Sequence, residues 1–395
     1  MHWLRCRPVT RKLLPLALAT FAVGTDSYVI AGLLPAIAAD LGVSTPAAGQ
    51  LVTVFALTMA VSAPVVGALT GGLDRRTTLL IALGVFVAGN AATALAPGYG
   101  TAMAARVVTA VGAGVINSAA SSTAAAIVPP ERRGRALAFV LGGLTLATAL
   151  GLPLGTLIGS ADWRVTLWAV AGTGLVAAVG VAAGLPAVRL PPATLADRLR
   201  PLARGGRVPA LLAVTTLAFL GTYTLYTYVA PALRDATDGD EALLTLALLA
   251  WGVGVLAGNA AAGRLVDRRD PARVLTAPLA LAVLALALTP LATRALIPAL
   301  LWAAVWGVAV GFVVVPQQHR LVALGPAAAP VLLGLNSSAL YAGMALGGGL
   351  GGLAQEWFGL SAAGLGPVAA GVTGAGLLWH LGTSRTRTPR RVVQR

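Results

Sequence analysis

Asp26 is the only one of the 13 acidic residues that lies inside a stretch long and apolar enough to cross a membrane. An ionised carboxylate is costly in hydrocarbon, so such a residue faces a cavity or a charged partner and often exchanges protons. We therefore take Asp26 as the candidate proton-coupling residue. The alternative is a structural role, in which the backbone or the neighbouring Thr25 and Ser27 satisfy its oxygens.

Arg106 is the basic residue placed to pair with Asp26. Asp26 lies ten residues before Ala36, which puts it ~15 Å below the outer end of its span. Arg106 follows the start of its own span near Tyr99 and lies ~10 Å below the same face. Protonation of Asp26 would release Arg106, so the pair would act as a switch that admits either a proton or a substrate. The alternative is an Arg106 side chain that extends to the outer headgroups.

Polar and aromatic residues deep in the apolar stretches are the candidates for substrate contact. A cavity lined by them is mainly apolar with few polar groups, which suits uncharged or weakly polar organic compounds. The alternative for each residue is a hydrogen bond between helices. The candidate substrate-binding residues are Tyr28, Asn117, Tyr226, Asn336 and Tyr341, with Trp251, Trp302 and Trp306 as further aromatic candidates.

The composition shows which kind of element must hold these residues. Of 395 residues, 57% are hydrophobic and 10% are charged, and the mean hydropathy is +0.84. A surface so poor in charge does not remain soluble in water, so the lipid bilayer is the expected surroundings. The net charge of +15 does not indicate a nucleic-acid partner, because the chain has no polar domain on which basic residues cluster.

Twelve membrane-spanning helices are predicted from the uncharged runs, because about 20 apolar residues cross a bilayer. The N-terminal run is too long for a signal peptide and carries Asp26, so it is expected to remain as the first span. The runs are Leu13–Ala36 (interrupted by Asp26), Leu41–Leu73, Thr77–Ala105, Val107–Pro130, Ala136–Ala161, Val165–Val188, Val208–Leu233, Ala242–Gly263, Val274–Thr293, Ala295–His319, Leu321–Gln355 and Trp357–Ser384. Within Thr77–Ala105, the third helix is expected to end before the turn at 97–100, which opens the fourth span.

The distribution of basic residues predicts the orientation of these spans. With the N-terminus inside the cell, all but four of the 28 basic residues fall in inside segments. Basic residues concentrate in cytoplasmic loops of membrane proteins, so both termini are expected in the cytoplasm. The four exceptions are Arg106, Arg164, Arg234 and Arg294.

Three places in the chain recur at an offset of 196 residues, which predicts two parallel six-helix repeats. Such repeats are typical of rocking transporters, which bind substrate near the midplane between the halves. The predicted domains are a six-helix bundle at 1–188, a cytoplasmic linker at 189–207, a second bundle at 208–384 and a basic cytoplasmic tail at 385–395. The matching places are 35–37 with 231–233, 67–69 with 263–265, and Gly151, Gly155 and Leu157 with Gly347, Gly351 and Leu353.

Several motifs of the spans carry a family resemblance over about residues 12–382. They are the first span 24–35 with its Asp26, Arg106 before a run of small residues, the fifth span 146–156, the group 162–164, the seventh span 226–231 and the eleventh span 334–352. Together they resemble the twelve-span drug:proton antiporters of the major facilitator superfamily, in the branch of bacterial chloramphenicol-resistance and sugar-efflux proteins.

One motif departs from the family pattern. After the second span the family reads approximately Gly-x-Leu-x-Asp-Arg-x-x-x-Arg, and here Gly71 stands at the position of the Asp. The first loop must therefore close differently, and Asp74 is the expected substitute. The resemblance implies gating and antiport roles for Gly67, Asp74, Arg75, Arg76, Gly151, Pro153, Gly155, Gly263, Asp267 and Arg268.

The resemblance implies a proton-coupled exporter of small organic, chloramphenicol-like drugs in the bacterial cytoplasmic (inner) membrane. We expect a monomer without cofactor or metal, whose partners are protons and a small-molecule substrate. A sugar or nutrient carrier of the same fold, running as exporter or symporter, remains the first alternative. A membrane-embedded enzyme or a sensor is a remote one, because no nucleophile with a base and no signalling domain accompanies Asp26.

Overall fold

The computed structural model describes residues 7–159, 161–189, 194–203 and 206–385. The predicted tail beyond 385 and parts of the predicted linker lie outside the described residues. The described part consists of helices and their connections, and its helices are α1 Arg7–Asp40, α2 Thr45–Leu69, α3 Arg75–Ala94, α4 Tyr99–Ala126, α5 Arg133–Leu146, α6 Leu152–Ile158, α7 Trp163–Gly184, α8 Leu195–Ala203, α9 Arg207–Tyr226, α10 Val229–Thr237, α11 Glu241–Val266, α12 Pro271–Ala287, α13 Thr289–Ala292, α14 Leu296–Leu324, α15 Ala329–Phe358 and α16 Leu365–Arg385.

The helices make twelve membrane crossings, as predicted. Within the described residues, ten helical segments are long and apolar enough to span a bilayer, among them α5 and α6 taken together. The shorter apolar helix α12, continued by α13, and the helix α16 make the ninth and twelfth crossings. The all-helical fold and its twelve-helix organisation are therefore confirmed.

Two predicted spans are not continuous helices. A π-helical turn at Ala147–Gly151 separates α5 from α6 just before Pro153, whose ring cannot fit a regular α-helix interior. The seventh crossing breaks at Thr227 and Tyr228, between α9 and α10. Pro231 follows in the first turn of α10, where the lack of a backbone N–H is tolerated.

The boundary between the last two crossings also differs from the prediction. The twelfth run was expected to begin at Trp357, but α15 includes this residue and ends at Phe358. Gly359 then adopts a φ of +62°, the left-handed conformation with which glycine commonly ends a helix. The twelfth helix begins only at Leu365.

The helix starts repeat along the chain. Helices α2, α3 and α5 begin at residues 45, 75 and 133, and α11, α12 and α15 begin at 241, 271 and 329, each 196 residues later. Asp74 and Asp270, which are related by this offset, both cap a helix by accepting hydrogen bonds from backbone amides of its first turn. The sequence repeat is thus a repeat of helices.

Glycines bring helices into direct backbone contact inside the second half. Gly254 and Gly258 of α11 lie against the α14 backbone at Ala304 and Val308. Gly307 and Gly311 of α14 lie in turn against the α11 backbone at Trp251 and Val255. These two small-xxx-small patterns face each other, which is how membrane helices approach closely without large apolar side chains between them.

The two halves meet through α2 with α15, α1 with α10 and α11, and the π turn and α6 with α11. We call the end of the bundle with the connections after α2, α4, α7, α11 and α14 the basic end, since most of the arginines lie there. At the opposite end the halves are in close contact along a surface that we call the seam. Its residues are Gly49, Gln50 and Thr53 of α2 with Tyr228, Gly348 and Gly352.

Candidate functional site

Asp26 and Arg106 form an ion pair in the interior of the first half. Helix α1 carries Asp26 and helix α4 carries Arg106, and the guanidinium Nη1 lies 2.7 Å from the carboxylate Oδ1. The two side chains are 0% and 1% exposed, so the pair has no contact with solvent. As predicted, the long side chain of Arg106 extends from α4 to the carboxylate of Asp26.

The surroundings of the pair are apolar on one side and polar on the other. The Arg106 guanidinium carbon lies 4.0 Å from the centre of the Phe55 ring, a cation–π distance. Asn90 of α3 is a polar neighbour of the Asp26 carboxylate. Removing one charge from a buried pair leaves the other uncompensated, so protonation of Asp26 would change the forces on Arg106 strongly.

A cluster of aromatic residues lies between the halves, and one of its members is on α1, two residues after Asp26. We call Tyr28, Tyr223, Tyr226, Trp251 and Trp306 the aromatic cluster. Tyr226 is at its centre, with ring centroids 4.6 Å from Trp251, 5.1 Å from Tyr223 and 6.1 Å from Tyr28. Tyr28 comes from the first half and the other four residues come from the second, so the cluster joins the halves.

The cluster contains buried polar atoms that are not satisfied by the protein. The hydroxyl of Tyr226 and the indole N–H groups of Trp251 and Trp306 have no hydrogen-bond partner among the described residues. Buried donors without partners are uncommon in folded proteins and call for a specific explanation. Three such donors in an aromatic wall can hold a molecule that has a flat apolar body and acceptor oxygens.

The other predicted substrate contacts are divided between two places. The Asn117 amide donates to the Tyr341 hydroxyl at 3.2 Å, which makes a second contact between the halves. Asn336 instead accepts a hydrogen bond of 2.8 Å from Thr215 between α9 and α15. Thr215 lies eight residues before Tyr223 on α9, about 12 Å along the helix, so Asn336 is not part of the aromatic cluster. Trp302 packs on Trp306 at the edge of the cluster, at 5.1 Å.

An arginine that the sequence does not single out, Arg198, contacts the end of α2 that leads into the first loop of the basic end. Arg198 of α8 donates to the carbonyl of Gly67 at 3.0 Å, near the end of α2. Asp74 caps α3, and its carboxylate accepts hydrogen bonds from the amide and hydroxyl of Thr77. These two hydrogen bonds lower the pKa of Asp74. A gating role for Asp74 in place of the family Asp stays a prediction, and Arg198 is a further contact at this end of α2.

The two arginines after Asp74 bind the backbone of the last turn of α7 and of the segment that follows it. Arg75 donates its amide to the Val188 carbonyl at 2.8 Å and is buried. The Arg76 guanidinium donates to the Ala182 carbonyl at the end of α7. Both residues therefore fasten the loop to the end of the sixth crossing.

The glycines around Pro153 allow α1 to approach the fifth crossing. A Cβ at Gly151 would lie 2.1 Å from the Thr25 hydroxyl, and one at Gly155 would lie 2.5 Å from Val29. The Gly155 carbonyl also accepts a hydrogen bond of 2.6 Å from Thr166. This segment thus packs directly on the part of α1 that carries Asp26.

The second copy of the loop motif has a different environment. Gly263 has open space where a Cβ would stand, and Asp267 and Arg268 are exposed. Arg268 lines a cavity at the basic end rather than a contact between the halves.

A buried polar chain in the second half was not predicted. The Gln317 amide donates to Thr215 at 3.1 Å, and its carbonyl accepts from Arg320 at 2.8 Å. Arg320 also lies 2.9 Å from His380 Nδ1, and His380 Nε2 lies 3.0 Å from the Ala272 carbonyl. The sequence signal was present, since polar residues are adjacent at 317–320, but their spacing alone does not indicate that they point inward.

Comparisons with known proteins agree with this architecture. The model of the Major Facilitator Superfamily matches residues 16–347. The chain is 41% identical over 66% of its length to a chloramphenicol resistance protein of Streptomyces lividans, covering 67% of that protein. It is 37% identical to the uncharacterized MFS-type transporter YbcL of Bacillus subtilis, covering 88% of this chain and 89% of the relative.

A solved structure shows the same fold. The crystal structure of a D-xylose-proton symporter superposes with a TM-score of 0.77 over 95% of this chain and 97% of that one, at 19% identity. An inner membrane transport protein of Escherichia coli K12, YdhP, is 35% identical over 86% of this chain and 87% of its own length. From its sequence family and its helical architecture, the chain belongs to the major facilitator superfamily and is a multi-pass membrane transporter of small molecules, not an enzyme.

Proposed function

We propose that this protein is a proton-coupled antiporter that exports small organic compounds across the cytoplasmic membrane by alternating access, working as a monomer. The observation that carries the proposal is the fully buried Asp26–Arg106 pair, whose Asp26 lies on the same helix as Tyr28 of the aromatic cluster. A group that exchanges a proton and a group that contacts substrate are thus two residues apart. The domains 1–188 and 208–384 would rock about the linker 189–207.

The coupling follows from the charges of the pair. A proton that binds the Asp26 carboxylate neutralises it, and Arg106 then carries an uncompensated charge in an apolar interior. Arg106 keeps its contact with Phe55 but loses the ion pair, so α1 and α4 shift relative to each other. Tyr28 lies about 200° around α1 from Asp26 and moves with it, which changes the contact with Tyr226.

The seam indicates at which end the two halves are closed in this structure. With the basic end in the cytoplasm, the halves are closed at the outer end by the packing of Gly49 against Tyr228 and of Gly348 against Thr53. After substrate is released outside, the protein would return to this closed state only when these glycines again pack against their partners in the other half. Gly151 and Gly155 act within the first half, where they let α1 approach the fifth crossing, and Gly67 makes room for the Arg198 side chain.

The substrate class follows from the aromatic cluster. Its flat apolar rings and three unsatisfied donors favour an uncharged compound with an aromatic or apolar body and acceptor oxygens. The relative that is a chloramphenicol resistance protein supports this class. A sugar would need more polar partners for its hydroxyl groups than the cluster offers, so a sugar carrier remains the alternative.

The test is substrate-driven proton release from inverted membrane vesicles, with wild type beside Asp26→Asn. We expect wild type to release protons when a chloramphenicol-type compound is added, and Asp26→Asn, which still inserts, to release none when release is normalised to the amount of inserted protein. Asp40→Asn is the matched control, because Asp40 pairs with Arg164 at the exposed end of α1. We expect this variant to transport normally.

The other outcomes are equally informative. Proton release that persists in Asp26→Asn would show that the proton binds elsewhere and would refute the switch. Release driven by pentose or hexose sugars, and not by aromatic compounds, would establish the sugar carrier instead.

A further inference from the structure

A cavity of about 630 Å³ opens at the basic end of the second half, outside the site described above. It lies where α11, α12 and α14 meet, beside the connection between α11 and α12. Three arginines, Arg268, Arg269 and Arg273, line its mouth. Its floor is apolar and includes Pro278 and Phe312.

The three arginines have no counterion among the described residues. No ion pair or side-chain hydrogen bond of Arg268, Arg269 or Arg273 is present in the described part of the chain. The acid that lines the cavity, Asp270, directs one oxygen at the backbone amides of Ala272 and Arg273 as the cap of α12. The mouth of the cavity is therefore strongly positive.

The internal repeat shows that this arrangement is specific to the second half. The positions 196 residues earlier hold Gly72, Leu73 and Thr77, none of which is basic. Cytoplasmic orientation alone does not require three arginines here, because the equivalent loop of the first half has none at these positions. The equivalent loop is instead fastened to α7 by Arg75 and Arg76.

We propose that this cavity binds an anionic phospholipid, with its phosphate among the three arginines and an acyl chain along the floor at Phe312. Guanidinium groups bind phosphate with paired hydrogen bonds, and basic pockets between helices at the cytoplasmic side suit anionic headgroups. The apolar floor favours a lipid over a free phosphate ion. The site does not depend on the transport cycle proposed above.

The experiment is native mass spectrometry of the purified full-length protein with added dioleoylphosphatidylglycerol, dioleoylphosphatidylcholine or inorganic phosphate. We expect wild type to retain phosphatidylglycerol in preference to phosphatidylcholine. The variant Arg268→Gln/Arg269→Gln/Arg273→Gln should bind phosphatidylglycerol at least ~10-fold more weakly than wild type. The control Arg132→Gln/Arg133→Gln/Arg135→Gln removes the same charge from another loop of the basic end and should keep it.

Two further variants keep the test decisive. Arg269→Gln alone serves if the triple variant does not fold, and it should weaken phosphatidylglycerol binding several-fold. Phe312→Ala should weaken binding of the lipid but not of glycerol phosphate. Equal lipid retention in wild type and the arginine variants, no preference for the anionic lipid, or inorganic phosphate that displaces the lipid completely would each overturn the proposal.

Discussion

At the scale of single residues, the Asp26–Arg106 pair stabilises the protein only while both charges are present. The pair is fully buried, and the Arg106 guanidinium also packs on Phe55. A buried ion pair gains little over an apolar pair, but one remaining charge is strongly destabilising. Stability and transport should therefore respond differently to single and double substitutions.

We predict that Arg106→Met lowers the free energy of unfolding by about 3–5 kcal/mol, because it leaves the Asp26 carboxylate buried alone. The double variant Asp26→Asn/Arg106→Met should recover most of this loss and remain inactive in proton release. Thermal unfolding of the purified variants in detergent measures both. Equal destabilisation of the single and double variants would contradict a coupled pair.

The phenol of Tyr226 offers a second test at this scale. We predict that Tyr226→Phe raises the KM for an aromatic substrate about 2- to 10-fold, the effect of one lost hydrogen bond, and leaves protein stability unchanged. Tyr99→Phe is the control, since its hydroxyl donates to the Ala47 carbonyl away from the cluster. An unchanged KM in Tyr226→Phe would remove this hydroxyl from the substrate site.

At the scale of elements, the transporter depends on helices that touch through glycine. Gly252 of α11 packs on the π turn of the fifth crossing, where a Cβ would lie 2.2 Å from the Thr148 carbonyl. The partner is backbone, so it does not yield to a new side chain as a flexible side chain would. The contact crosses the two halves and must slide or open when they rock.

We predict that Gly252→Val reduces transport at least tenfold, since it separates α11 from the fifth crossing. Gly172→Val is the control, because nothing lies within 4 Å of a Cβ at that position of α7. Vesicle transport rates normalised to the amount of inserted protein measure the effect. Normal transport by Gly252→Val would mean that this contact is absent from the working cycle.

At the scale of the whole molecule, the arginines at the basic end predict how the protein lies in the membrane. The opposite end carries acidic residues such as Asp235 in the last turn of α10 and Asp240, which caps α11. Positive residues are retained on the cytoplasmic side, so the basic end is expected inside and the seam outside.

We predict that a cysteine at the seam end reacts with a membrane-impermeant maleimide in intact cells and that one at the basic end does not. Asp235→Cys and Arg133→Cys, each combined with Cys6→Ser to remove the only native cysteine, test the two ends. Labelling of Arg133→Cys in intact cells, with protection of Asp235→Cys, would invert the proposed orientation. Lysed cells, in which both should react, provide the control.

A part of the site can be predicted from the sequence when a single energetic requirement determines it. A carboxylate in an apolar span needs a partner, so Asp26 and Arg106 can be paired from their depths alone. The gating role expected of Asp74 stays a prediction, because a loop carboxylate next to a helix start is as useful for a cap as for a gate. The contact of Arg198 with Gly67 at the end of α2 could not be predicted, because the two residues are 131 positions apart and no local pattern links them.

By itself, the sequence determined that this protein crosses the membrane twelve times as two related halves, because apolar length and helix caps are local properties. That Tyr28 meets Tyr226 and Trp251, that Tyr226 meets Trp306, and that Asn336 lies apart from them could be known only from the tertiary structure. Residues far apart in the chain become neighbours through helix packing. Which neighbours each side chain faces depends on the helix breaks at Ala147–Gly151 and Thr227, because a break changes the direction of the side chains that follow it. It depends also on the glycines, which allow helices to approach closely.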